Sequence, residues 1–119
     1  MALSEYDAYK QKLRELEPEL EKLKQALDID SAAQEAARLE DETTQDGFWN
    51  DLERSQKIQT RLKQLQNKVN RFRKLTSTWE DLTALCEMGQ EAEDAETLEE
   101  IKTEFAALEE SVEEARMTT

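Results

Sequence analysis

The sequence predicts an all-α fold, and three observations predict it. Glycine occurs twice and proline once in 119 residues, too little punctuation for a protein of many short strands. Apolar residues recur at helical spacing over four stretches of the chain. Charged residues make up 38% of the sequence and the mean hydropathy is −0.92, as expected of amphipathic helices with wide polar faces. Helices with bare leucine stripes are marginal alone and must pack on one another. The architecture expected is an elongated antiparallel helical bundle or coiled-coil hairpin of three to four helices with one long spine helix, forming a single domain over residues 1–119.

The first helix is marked by Tyr6, Tyr9, Leu13, Leu16, Leu20, Leu23 and Leu27, whose spacing alternates between three and four. Ser4, with Asp7 three residues on, resembles a capping box at its start. Pro18 has no N–H and its ring crowds the carbonyl of Arg14, which predicts a kink or a restart. The leucine register continues past it, so both halves face the same partner.

Asp28 or Asp30 can cap a second, shorter helix carrying Ile29, Ala32 or Ala33, Ala36 and Leu39. Its small side chains permit close approach of a neighbour. From Glu40 to Asp51 there is no helical period, and Gly47 lies within the run, so it reads as a connection. Phe48 and Trp49 sit in it either as a plug closing the end of the bundle, which we expect, or as an exposed anchor for a partner.

Asn50 with Glu53 offers the next N-cap, followed by Ile58, Leu62, Leu65, Val69, Phe72, Leu75, Trp79, Leu82 and Leu85 in helical register. This spine, from about residue 51 to about 88, would be roughly 57 Å long at ~1.5 Å per residue. Gln90 to Asp94 connects it to a last helix with Leu98, Ile101, Phe105, Leu108, Val112 and Ala115, capped by Asp94.

The same composition restricts the chemistry. There is no His, hence no imidazole base or imidazole metal ligand, and the single Cys86 supports neither an internal disulfide nor a multi-thiolate zinc site. This argues against an enzyme and predicts no cofactor, metal or small-molecule substrate. The acidic runs Glu40 to Glu42 and Glu91 to Glu100 lack the spaced ligands and glycine of an EF-hand loop. Cys86, at the edge of the spine's stripe, is expected to be a small buried hydrophobe. No stretch approaches the ~20 apolar residues of a membrane span. Met1 to Tyr9 show no basic start followed by an apolar run, so a cytoplasmic protein is expected.

Charge is unevenly distributed. With 16 cations against 29 carboxylates the net charge is −13, yet Arg54, Lys57, Arg61, Lys63, Lys68, Arg71, Arg73 and Lys74 fall in a stretch without a single Asp or Glu. At roughly 100° per residue, Arg54, Lys57, Arg61 and Lys68 lie about 40–100° to one side of Ile58, flanking the apolar stripe. Such a flank either pairs with carboxylates of an adjacent helix or contacts nucleic-acid phosphates. The candidate contacts are Arg54, Lys57, Arg61, Lys68 and Arg71. Pairing within the bundle is expected for Arg61 and Lys68, and phosphate contact for Arg54 and Lys57 near the helix start. The net negative charge opposes nonspecific binding and would restrict any such contact to this patch.

Phe48-Trp49-Asn50-Asp51 followed by Ser55-Gln56-Lys57-Ile58, together with Trp79-Glu80-Asp81-Leu82, the acidic stretch Glu91 to Asp94 and the ending from Leu108 to Thr119, resembles the first domain of bacterial peptide chain release factors of the release factor 2 type. The resemblance is good over roughly residues 28–119 and holds for the first helix only by pattern. Gly47 stands where the family usually has Pro before Phe-Trp, and Leu52 where Pro often starts the helix. Release factor 1 lacks the Phe-Trp motif in its first domain. Leu27-Asp28 is similar to the step at which many members' messages carry a programmed frameshift.

The resemblance implies a domain that docks on the ribosome near the GTPase-associated region of the large subunit, at the stalk base and its rRNA, within a factor acting at UGA and UAA stop codons. The family's hydrolytic Gly-Gly-Gln motif and its codon-reading Ser-Pro-Phe are absent, since no two glycines adjoin and the one proline follows Glu17. The domain would position the factor without performing the chemistry. The alternative is a self-associating coiled-coil scaffold or adaptor unrelated to translation, and weak self-association through the same stripes stays open.

Overall fold

A computed structural model describes the backbone of residues 2–118 and the side chains of residues 5–118. Its elements are α1 (Ala2–Ala26), α2 (Ile29–Glu42), a 3-10 turn (Phe48–Asn50), α3 (Leu52–Ala92) and α4 (Ala95–Met117), with no strand among the described residues. The fold is all-α, a helical bundle as the periodicity predicts. The helices pack as two units, one built by α1, the part of α3 from Lys74 onward and α4, the other by Leu27–Arg73.

In the first unit the apolar stripe of α1 buries Tyr6, Leu13, Leu20 and Leu23. Facing it are Leu75, Leu82 and Cys86 of α3 and Leu98, Ile101, Phe105, Leu108 and Val112 of α4. Cys86 is fully buried, as expected for a small hydrophobe, and its burial pushes the thiol pKa up. Contacts fix the directions of the helices. The Trp79 indole N–H donates to the Leu13 carbonyl at 2.7 Å and the Gln90 amide to Asp7 at 2.7 Å, so α1 and α3 are antiparallel. Lys102 pairs with Glu5 and Arg116 with Glu19, each at 2.8 Å, so α1 and α4 run parallel on either side of α3's reversal. Tyr9 and Phe105 meet edge to face at 5.6 Å between centroids.

α1 is one helix through Pro18, with no restart, and it begins at Ala2, so Ser4 lies inside its first turn rather than capping it. Pro18 and Arg14 are both exposed. Pro18 thus lies on the solvent side of the helix, and the buried leucines on the opposite side hold it together.

The turn between α3 and α4 is tighter than the sequence predicts, because α3 passes through Gly89 and ends at Ala92. Glu93 adopts the left-handed conformation at φ 54°, the Asp94 N–H bonds the Gly89 carbonyl at 3.0 Å and the Glu93 N–H the Gln90 carbonyl at 3.1 Å, which together form a Schellman ending. Asp94 then caps α4, as expected, accepting from the N–H groups of Glu96 and Thr97. These bonds and the Thr97 hydroxyl hold its carboxyl below the usual aspartate range.

In the second unit Ala32, Ala36 and Leu39 of α2 pack on Leu65 and Val69 of α3, with Ala33, Ile58 and Leu62 at the margin. α2 starts after Asp28, which sits in the left-handed region at φ 56° and makes no side-chain cap. The helix continues to Glu42, past its last apolar residue, because the Thr43 and Thr44 hydroxyls donate to the carbonyls of Glu40 and Asp41 at 2.6 and 2.7 Å. Asp51, not Asn50, caps α3: its carboxylate accepts the Arg54 N–H at 3.1 Å.

Candidate functional site

The second unit carries both features singled out by sequence, the Phe-Trp turn and the basic stretch of α3. Gly47 takes φ 81°, a conformation that glycine adopts without steric cost, and turns the chain into Phe48–Asn50. Phe48 is 3% exposed, but Trp49 is 55% exposed. The expected plug is thus made by Phe48 alone. One 3-10 turn cannot direct consecutive side chains to the same side, so burying Phe48 turns Trp49 outward, its ring edge-on to Phe48 at 4.9 Å between centroids. Ser55, fully buried, was not marked by the apolar pattern; its hydroxyl donates to the Leu52 carbonyl at 3.1 Å, so no partner is missing.

The basic flank divides into two parts. Arg54 bonds Glu42 across to α2 at 2.7 Å and lies 5.9 Å from the centroid of the Phe48 ring. Lys57 reaches Glu53 one turn back at 3.5 Å. Arg61 grips Glu35 with two bonds of 2.9 and 3.0 Å, Nε to one carboxylate oxygen and Nη2 to the other. This pair holds the Glu35 carboxyl below its usual range and raises the Arg61 guanidinium further. Lys63, Lys68, Arg71 and Arg73, by contrast, have no described carboxylate within 4.0 Å.

Pairing therefore holds for Arg61 as expected, but Arg54 is paired and Lys68 is not. The positions of the carboxylates explain both corrections. α2 and α3 run antiparallel, so Glu35 and Glu42 fall opposite Arg61 and Arg54, whereas the start of α2 opposite Lys68 presents Ala32 and Ile29 to the core. Sequence alone could not pair them without the register. Among the described residues no group of three or more Cys, Asp or Glu side chains is placed to hold a metal ion, and no helix is long and apolar enough to cross a membrane.

Comparison with known proteins places this helical chain in a family. A family profile described as the PCRF domain covers residues 32–119. The chain belongs to the PCRF domain family. Curated relatives include peptide chain release factor 2 of Acidothermus cellulolyticus, 32% identical over 107 residues, which are 90% of this chain and 29% of that protein. Those of Streptomyces avermitilis and Clostridium perfringens strain SM101 are 30% and 31% identical over 92% and 91% of this chain, and 30% and 29% of theirs. The chain thus spans about 30% of the length of these relatives. They support an N-terminal domain of the release factor 2 type. No solved structure matches significantly.

Proposed function

We propose that this chain is the ribosome-docking N-terminal domain of a translation termination factor acting at UGA and UAA stop codons, positioning the factor near the stalk base and its rRNA in the GTPase-associated region, and that it has no catalysis of its own. The observation that carries this reading is the PCRF match over residues 32–119 together with release factor 2 relatives of which the chain spans less than a third. The missing Gly-Gly-Gln and Ser-Pro-Phe motifs support a positioning role. A cytoplasmic setting follows from the same reading.

Among the cations, Lys68 and Arg71, three residues apart on one side of α3, are the best phosphate contacts, because no carboxylate neutralises them. Arg54 and Arg61 serve first to hold α3 to α2, while Lys57 pairs only with Glu53 within α3. Phosphate contact releases counterions, so affinity should fall steeply with salt, and each lost contact should flatten that slope by ~0.7–0.9. Binding of the end-labelled chain to purified ribosomes over a salt series tests this. Lys68→Glu with Arg71→Glu should weaken binding and flatten the slope while the fold survives. An unchanged slope removes these residues from the contact; no ribosome binding by the unaltered chain removes the docking role.

A further inference from the structure

Two residues, Leu27 and Asp28, separate α1 from α2, and the boundary between the two units falls at them. No Gly or Pro stands between Pro18 and Gly47, so no helix-breaking residue marks this stop. It is made instead by Asp28, a residue with a side chain held in the left-handed region at φ 56°, where glycine would be unstrained. Its carboxylate does not offset the strain by capping α2. A short hinge under strain is the setting in which chains exchange an element between copies.

Relaxing Asp28 to the right-handed conformation would join α1 and α2 into one helix, giving the first N–H groups of α2 the carbonyls at the end of α1 as partners. It would also change what α1 can reach. At roughly 100° per residue, the centre of the buried stripe of α2 would lie about 140° round the joined helix from that of α1. With α2 kept on Leu65 and Val69, α1 then turns its apolar side away from its own chain. That stripe would be left in water, and so would Leu82, Ile101 and Phe105, which face it in the closed unit. Water is costly for both surfaces, and the complement of each is present in a second copy. We propose that two copies of this chain exchange α1, each α1 packing on α3 and α4 of the other copy and forming one helix with its own α2. The contacts of the closed unit are remade across the pair, Glu5 with Lys102, Glu19 with Arg116 and the Trp79 indole with the Leu13 carbonyl among them. Dilution favours the closed chain, while concentration and the relief of Asp28 at two hinges favour exchange. Exchange is independent of the docking reading above.

The test refolds equal amounts of isotopically light and heavy chain together from urea over a series of concentrations. Size exclusion isolates any dimer, and a carbodiimide then joins Glu5 to Lys102, whose carboxylate and ammonium lie 2.8 Å apart. The expected result is a dimer whose share rises with the refolding concentration and in which half of the Glu5–Lys102 links join a light peptide to a heavy one. Links in the monomer, and the Lys102–Glu99 link within α4 in both fractions, should each carry a single isotope. Asp28→Gly removes the strain from the closed form and should lower the dimerisation constant roughly tenfold or more, because two hinges contribute. Asp28→Ala favours the joined helix and should raise it. Absence of a dimer at every concentration overturns the proposal. A dimer with only single-isotope Glu5–Lys102 links also overturns it, since its copies are then held by surface contact. So does an unchanged dimer share in the Asp28→Gly chain. Should Asp28→Ala fail to fold, the glycine variant and the isotope pattern decide between these outcomes.

Discussion

Tyr6 occupies the space that a side chain at Gly89 would need. A Cβ on Gly89 would collide with the Tyr6 hydroxyl oxygen and lie 2.9 Å from its ring and 2.8 Å from the Thr97 methyl. The Tyr6 hydroxyl in turn donates to the Asp94 carbonyl, in the turn where α3 reverses into α4. One fully buried side chain of α1 thus meets both later helices of its unit where they join. Glycine inside a helix costs about 0.5–1 kcal/mol relative to alanine, and here that cost permits the contact.

Gly89→Ala should therefore destabilise, although it raises helix propensity. Overpacking costs about 1–3 kcal/mol, more than the propensity gain. Tyr6→Phe alone should cost about 1 kcal/mol for its lost hydrogen bond, and less in the Gly89→Ala background, where the clashing oxygen is removed. Thermal melts of the two single variants and the double variant measure both effects. A higher midpoint for Gly89→Ala would show that α1 does not pack here.

Glu93 holds the left-handed position usually given to glycine at a helix end. Its side chain is exposed, so replacement loses no packing. Glu93→Gly should raise stability by up to about 1 kcal/mol, the relief of left-handed strain less the added freedom of the unfolded chain. Urea denaturation would show it as a later midpoint with the slope unchanged.

Phe48 and Trp49 are adjacent in sequence but should differ sharply in energetic weight. Phe48→Ala opens a cavity and should cost about 3–5 kcal/mol. Trp49→Ala removes an exposed ring and one edge-on contact, and should cost no more than about 1–1.5 kcal/mol. Equal losses in calorimetry would place both rings in the core.

Much of this was legible in the sequence. Leu13, Leu20 and Leu23 declare the buried face of α1, Leu98 to Val112 that of α4, and Asp94 its cap, because amphipathic spacing and capping are local. The partner of Arg54 and the isolation of Lys68 were not legible, since each depends on the register of α2 against α3, and the direction of Trp49 was not, since it depends on the 3-10 turn that buries Phe48. The stripe of α3 also drifts. A helix of 3.6 residues per turn carries it from Leu82 to Cys86 and Gly89, leaving Leu85 half-buried. Gly89 reads as a stop in a sequence and is a contact in the fold.

Alkaline pH should destabilise the first unit. The Lys102 ammonium, bonded to Glu5 and Glu99, has its pKa pushed up to about 12 from 10.5. A raised lysine pKa contributes stability that is complete below 10.5 and lost as pH rises toward about 12. Tyr6, raised from 10.0 by burial, loses its contribution in the same direction. Glu5 and Asp94 lie below their ordinary values of 4.5 and 3.8, so their contributions are present above those values and lost as pH falls below them. Stability against pH should show an alkaline decline beginning near pH 10 that is shallower in Tyr6→Phe and Lys102→Met. Parallel curves for all three proteins would contradict the assignment.

The central claim, a domain that docks without catalysing, is tested most directly by titrating this chain into a peptide-release reaction run by a full-length release factor 2 on ribosomes halted at UGA. The chain should release no peptide itself and should slow release progressively by occupying the factor's docking position, with weaker inhibition at higher salt. Peptide release by the chain alone, or an unchanged rate at every concentration of it, would rule out docking without catalysis.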